Sequence, residues 1–270
     1  MKQSNTENKY VLITGVNGGM GRAAAETLAA EGYSVIGLDV TECDPISGVT
    51  SLIADCTSEE SLTEAYKRVS EITDKLYAVI HFAGLYMLDS LVEMSEEKMK
   101  KIYDVNLFGV MRINRIFLPL LSGGSRIVIT TSELAPLDPL PFTGIYALTK
   151  SALDKYAYSL RMELQLLGIS VTVMRPGAVS TPMIGKSVDE LDRFIEKTKL
   201  YSCNAQRFRN IVNRVEARSV SADRIGKLAS RILRVRRPRL VYSLNRNPLL
   251  LLLNILPDRF ATFIIKCVLK

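Results

Sequence analysis

The sequence predicts an α/β protein: a doubly wound parallel sheet of about seven strands with helices on both faces. Three observations lead there. Short apolar runs rich in β-branched residues recur from "YVLIT" (10–14) to "ISVTVMRPG" (169–177). Helical stretches separate them, and a helix is the usual crossover between parallel strands. The runs are apolar throughout instead of alternating, which suits strands covered on both faces. At 270 residues, 47% of them hydrophobic, the chain can bury a large core. No linker or internal repeat breaks the pattern, so residues 1–270 read as one domain.

The first strand, 10–14, runs into "TGVNGGMG" (14–21). "GRAAAETLAAEG" (21–32) is alanine-rich and helical, with Gly32 as its stop. "YSVIGLD" (33–39) and "TSLIAD" (50–55) are the second and third strands. Thr57 or Ser58 caps the next helix, which runs to Thr73. "YAVIHFAG" (77–84) is the fourth strand. A long helix is predicted from Ser95 to Leu121, with an acidic first turn and Pro119 near its end. "SRIVITTS" (125–132) is the fifth strand. The helix that carries Tyr146 continues to about Leu167, where Gly168 stops it. Residues 169–177 form the sixth strand.

Glycines between a strand and a helix let backbone amides approach a pyrophosphate, and the helix N-terminus adds donors and a positive dipole end. The turn holding Gly15, Asn17, Gly18, Gly19, Met20 and Gly21 is therefore the candidate dinucleotide cradle of a Rossmann-type fold. Asp39 ends the second strand, eighteen residues after Gly21. A carboxylate there accepts hydrogen bonds from the adenosine ribose hydroxyls and repels a 2′-phosphate, which favours NAD over NADP. Arg22, beside Gly21, keeps NADP open. Asp55, ending the third strand, is placed to face the adenine.

"GIYALTKSALDKY" (144–156) puts Tyr146 and Lys150 one turn apart on one helix face. Surface helices are full of such pairs, so the spacing decides nothing alone. Its neighbours change its meaning. TGxxxGxG at 14–21, Asp39, Asp55, Asn106 in "DVNLFG", Ser132, the Tyr146–Lys150 pair and "RPGAVST" at 175–181 follow in order. Together they resemble the short-chain dehydrogenase/reductase family, in its short single-domain branch, over about residues 10 to 185. Two departures stand out. "HFAG" (81–84) occupies the place of the family's Asn-Asn-Ala-Gly, so Phe82 replaces an asparagine, while Ala83 and Gly84 keep the close approach to the cofactor. That form also resembles the sugar-nucleotide epimerases, whose longer chains lack "PG" directly after the sixth strand. Ser132 precedes Tyr146 by fourteen residues, about one more than is common, the extra residue falling in a loop. Thr131 is the rival for the serine's role.

The resemblance implies an oxidoreductase that moves a hydride between NAD(H) and a secondary alcohol or ketone. Free tyrosine has a pKa of about 10, too high for an efficient base near neutrality. On this reading the Lys150 ammonium and the oxidised nicotinamide favour the phenolate, and Tyr146 is the general acid/base. Ser132 holds the substrate oxygen. Lys150 also bonds the nicotinamide ribose, and Asn106 orders a water-linked proton path to it. Pro176 and Gly177 break the strand, so that Val179 and Thr181 reach the nicotinamide carboxamide. His81 has no acid partner at triad spacing and reads as a strand-end residue, not a catalyst. The alternatives are an NADP-dependent carbonyl reductase of lipid-like substrates and a non-catalytic nucleotide sensor, the latter opposed by the intact Ser132, Tyr146 and Lys150.

Residues 183–217 stand where the family builds its substrate lid. Met183, Ile184, Leu191, Phe194, Leu200, Tyr201 and Phe208, with Leu85, Tyr86, Met87 and Leu88 after the fourth strand, suit a hydroxysteroid, retinoid or long-chain carbonyl. From Arg207 to Arg239, eleven Lys or Arg stand against Glu216 and Asp223, on a mildly acidic body. That asymmetry is either a solvated helix face or an anionic-surface site. Nucleic acid is disfavoured, because no aromatics interleave with the arginines. The tail, about 240–270, holds "PLLLLLNIL", too short to span a bilayer. A stretch with Arg259, Lys266 and Lys270 follows, and it suits a membrane interface or packing against protein. Four cysteines without CxxC spacing and a single histidine predict free thiols, no metal site and a reducing, cytoplasmic setting with membrane association as an option. The start lacks an apolar signal-peptide core. The resemblance adds a homo-oligomer, dimer or tetramer.

Overall fold

A computed structural model describes residues 9–270, apart from the side chains of Pro182, Met183, Ile184, Lys186, Ser187 and Glu216. In chain order the elements are β1 (Tyr10–Thr14), α1 (Gly19–Ala30), β2 (Ser34–Asp39), β3 (Val49–Ile53), α2 (Glu59–Ile72), β4 (Leu76–His81), α3 (Glu96–Tyr103) and α4 (Gly109–Phe117). There follow β5 (Arg126–Thr130), α5 (Gly144–Leu164), β6 (Ser170–Pro176), β7 (Val179–Ser180), α6 (Pro182–Lys197), α7 (Ser202–Glu216) and β8 (Val220–Ser221). The chain ends with α8 (Asp223–Arg234), β9 (Val241–Leu244), α9 (Pro248–Leu253) and α10 (Asp258–Leu269).

Seven strands form one parallel sheet in the order β3-β2-β1-β4-β5-β6-β9, and β7 pairs with β8 beside it. Successive strand residues face opposite sides of the sheet. Leu12, Val79 and Ile127 therefore pack with Leu62 of α2, Phe117 of α4 and Leu153 of α5. Val11, Ile13 and Ile80 pack with Leu28 of α1 and Ile225 and Ile232 of α8 on the other side. This double coverage is why the strands read as unbroken apolar runs. The alanines of α1 allow α8 to come close: a Cβ on Gly226 would lie 2.2 Å from the Thr27 hydroxyl and 2.5 Å from the Ala23 oxygen.

Gly32 and Gly168 stop their helices in the left-handed region, as predicted. Other boundaries differ for physical reasons. α1 starts at Gly19, two residues early, because Gly18 is its extended N-cap and the glycine turn is already helical. β4 ends at His81, and residues 82–84 leave the sheet. The helix predicted over 95–121 is interrupted by a π-helical turn, Asp104–Phe108, and closes in a 3₁₀ turn at Leu118–Leu120, where Pro119 has no N–H to give. The tail begins with a seventh strand, β9, paired to β6. Within the basic stretch, α8 buries Ile225, Ala229, Ile232 and Leu233, while Arg224, Lys227, Arg231 and Arg234 form its solvated face. The four cysteines are free thiols. Among the described residues no helix is long and apolar enough to cross a membrane.

Candidate active site

The strand order reverses between β1 and β4, and the carboxyl ends of the strands part there into a crevice. Gly15 follows β1 at a φ of 71°. A Cβ on it would lie 2.6 Å from the Ala83 nitrogen, and one on Gly21 would lie 2.1 Å from the Gly15 oxygen. The turn is packed backbone against backbone, and α1 opens from it with its first amides at the crevice. Asp39 ties this turn to the next loop. Its Oδ2 accepts the Asn17 N–H at 3.0 Å, and its Oδ1 accepts the N–H and hydroxyl of Thr41, both at 3.2 Å. Arg22 pairs with Glu26 at 3.0 Å along α1. Asp55 closes the turn before α2, its Oδ1 accepting from the Thr57 N–H at 2.8 Å and hydroxyl at 2.7 Å.

The π-helical turn rotates Asn106 toward the chain leaving β4. Asn106 is fully buried, and its Oδ1 accepts the Leu85 N–H at 2.7 Å. Its Nδ2 donates to the Leu85 carbonyl at 2.9 Å and to the Thr149 hydroxyl at 3.1 Å. The side chain thus bonds across elements, not back to its own helix. Gly84 lies against it: a Cβ there would stand 3.2 Å from Asn106 Oδ1 and 3.5 Å from Lys150 Nζ.

Past β5, the Ser132 hydroxyl stands close enough to Tyr146 to favour its phenolate, and it accepts the Leu134 N–H at 3.2 Å. The rival Thr131 is turned away, its hydroxyl 3.3 Å from Asp154, which pairs with Arg175 at 2.6 Å. Lys150 donates to the Thr130 carbonyl at 3.2 Å, and its Nζ stands 5.7 Å from the Tyr146 ring centre. The Tyr86 ring meets Tyr146 edge-on at 4.6 Å. The expected depression of Tyr146 by Lys150 is not what the protein's own groups produce. Burial pushes Tyr146 up to about 12, with the Ser132 hydroxyl pulling it down and the Glu133 charge pushing it up. Burial also pushes Lys150 down to about 8, so its ammonium is itself only just held.

These groups wall a cavity of about 530 Å³, a volume typical of small-molecule sites. Met20, Gly84, Pro176, Gly177, Val179 and Thr181 line it, with the apolar Phe82, Leu85, Tyr86, Phe208, Ile211 and Val212. Leu249 and Leu250 of α9 and Val268 of α10 complete the wall. Several expected lining residues do other work. Met87 and Leu88 are buried in the core. Leu191 and Phe194 pack the α6–α7 pair with Phe142, and Tyr201 joins them, while Leu200 is 65% exposed. The side chains of Met183 and Ile184 lie outside the described residues. His81 points away from the cavity. Its Nε2 meets Asn114 Oδ1 at 2.9 Å, Asn114 donates to the Tyr156 hydroxyl at 3.2 Å, and burial holds the imidazole down at about 4.

Sequence reasoning missed Glu133, Asn245 and Asn247. Glu133 is only 7% exposed, lines the cavity, and accepts the Asn247 N–H at 2.6 Å, while burial raises its pKa. A charged residue directly after an apolar strand was its one signal.

The short chain dehydrogenase family model matches residues 9–192, a span that contains every predicted site residue. The chain belongs to the short-chain dehydrogenase family. The NADPH-dependent 1-acyldihydroxyacetone phosphate reductase of Schizosaccharomyces pombe is 32% identical over 184 residues, covering 66% of this chain and 62% of that protein. Estradiol 17-beta-dehydrogenase 2 of Mus musculus is 31% identical over 193 residues, covering 66% of this chain and 50% of that protein. The chain therefore spans between half and two thirds of these relatives' length. The ligand-free aldohexose dehydrogenase of Thermoplasma acidophilum matches with a TM-score of 0.73, over 89% of this chain and 94% of that one, at 19% identity. That likeness speaks to the fold alone.

Proposed function

We propose that this protein moves a hydride between NAD(H) and a secondary alcohol or ketone on a hydrophobic, lipid-like substrate. The observation that carries the reading is the convergence of Ser132, Tyr146 and buried Lys150, the last two one helical turn apart, on the wall of one largely apolar cavity beside the glycine turn. Gly15 and Gly21 fit a dinucleotide, since a Cβ at either would collide with backbone and push the turn apart. When bound, the nicotinamide supplies or accepts the hydride. Tyr146 takes the hydroxyl proton during oxidation and returns it during reduction. Ser132 bonds the substrate oxygen, and Lys150 lends positive charge beneath the tyrosine. Asn106 holds the chain at Leu85 and leads protons toward Lys150. Val179 and Thr181 orient the carboxamide, and Asn17, Gly18, Gly19, Met20, Asp55, Ala83, Gly84, Pro176 and Gly177 complete the cofactor shell.

Asp39 supports NAD, and Arg22, the residue that kept NADP open, pairs with Glu26 along α1. NADP-dependent reduction of a lipid-like carbonyl is the second reading, favoured by the bonds that already occupy the Asp39 carboxylate and by the NADPH-dependent reductase of fission yeast among the relatives. Helices α6 and α7 serve as the lid over residues 183–217. The protein works as a cytoplasmic homo-oligomer whose C-terminal helices touch membrane peripherally. The deciding experiment is a screen of NAD and NADP reduction across steroids, bile acids, retinol and simple secondary alcohols. Wild-type turnover with an apolar alcohol, lost in Tyr146→Phe, is the expected result; undiminished turnover in that variant overturns the assigned role.

A further inference from the structure

The cavity is closed in part by a segment with little to hold it. α9 is six residues long, and two of its leucines, Leu249 and Leu252, are exposed. So short a helix owes its place to contacts at its ends. At its C-terminal end, Asn254 Oδ1 accepts the Asp138 N–H at 2.7 Å; the N-terminal end is tied to one carboxylate. Glu133 Oε2 accepts the Asn247 N–H at 2.6 Å, and the Asn247 side chain then caps α9 by accepting the Leu249 N–H at 3.0 Å. Asn245, at a φ of 56°, donates from Nδ2 to the Ala178 carbonyl at 2.8 Å and the Arg218 carbonyl at 3.0 Å. On its other side, the Glu133 N–H donates to the Pro176 carbonyl at 2.8 Å. A Cβ on Gly177 would stand 2.8 Å from Glu133 Oε1, so the strand end is shaped around this carboxyl. Arg218 and Arg246 line the small cavity behind it, and the Arg246 charge and the Asn247 N–H favour the ionised carboxylate against the burial that raises its pKa. Burying such a group costs free energy unless its hydrogen bond does structural work.

We propose that Glu133 is a positioning residue: by accepting the Asn247 N–H it clamps the start of α9 to the strand end that carries Ser132, and so shapes the cavity for long apolar ligands. The term substrate for such ligands rests on the function proposed above; the clamp does not, and it is tested without turnover. Glu133→Met fills the same space without an acceptor, and Glu133→Gln keeps a carbonyl oxygen for Asn247. Hydrogen–deuterium exchange on the full chain reads the clamp. In Glu133→Met, amides 249–256 exchange about tenfold faster while those of β6 and α5 do not change, and Nile red, an apolar probe, binds about fivefold more weakly. In Glu133→Gln, both readouts stay within about twofold of wild type, the rescue expected of a retained acceptor. Unchanged exchange over 249–256 in Glu133→Met overturns the proposal, as does equal loss of protection in both variants.

Discussion

On the function proposed above Tyr146 carries the chemistry, and the protein's own groups leave it a reluctant acid. With its pKa pushed up to about 12 by burial, alcohol oxidation gains rate as pH rises toward the phenolate. The Ser132 hydroxyl opposes that shift, so Ser132→Ala moves the rising limb of kcat/KM to higher pH and lowers the plateau by about 100-fold. Tyr146→Phe lowers kcat by about 1,000-fold while NADH still binds, which stopped-flow quenching and steady-state rates check together. At this scale the sequence was legible where function imposes a spacing. Tyr146 and Lys150 are one helical turn apart, and Gly15 and Gly21 of the turn can be nothing else without meeting backbone. Glu133 was illegible because its partner, Asn247, is 114 residues away and no local rule links them.

Elements were easier to find than to bound. The apolar runs located the first six strands, yet β9 hid in a tail that looked amphipathic, because only its pairing with β6 makes it a strand. The π-helical turn was equally hidden, since one extra residue per turn leaves the apolar pattern nearly intact while re-aiming Asn106. Two predictions belong here. Gly226→Ala forces a methyl against Thr27 and the Ala23 carbonyl, so α8 must lift from α1, at a cost of about 1–3 kcal/mol measured by urea unfolding. His81 links β4 through Asn114 of α4 to Tyr156 of α5, and it is held neutral at about 4 against an ordinary 6.5. The unfolded chain takes up that proton first. Stability is therefore full above about pH 6.5 and falls as pH drops toward 4, by about 3 kcal/mol in all. Urea unfolding across that window in wild type and His81→Gln checks it: the variant loses this part of the slope.

At the scale of the whole molecule, the C-terminal helices use one face and leave the other outward. Ile265 and Leu269 of α10 pack into the cluster with Phe208 of α7, and Asn204 donates to the Leu269 carbonyl at 2.6 Å. Phe260 and Phe263 on α10 are 65% and 63% exposed, and Ile255 before it is 79% exposed. Arg259, Lys266 and Lys270 flank that apolar stripe, with Arg246 near the start of α9. An outward apolar stripe with a basic flank suits an anionic bilayer surface, where burial of the rings and attraction to the headgroups add. Leu249, Leu250 and Val268 of the same helices wall the cavity. The full chain is expected to co-sediment with phosphatidylglycerol-containing vesicles and less with pure phosphatidylcholine, and added salt should weaken the contact. The double variant Phe260→Ser, Phe263→Ser should bind about tenfold less. Equal partitioning of the two proteins would sink the membrane reading. A change from dimer to monomer in the variant, measured by light scattering, would assign the stripe instead to a second copy of the chain.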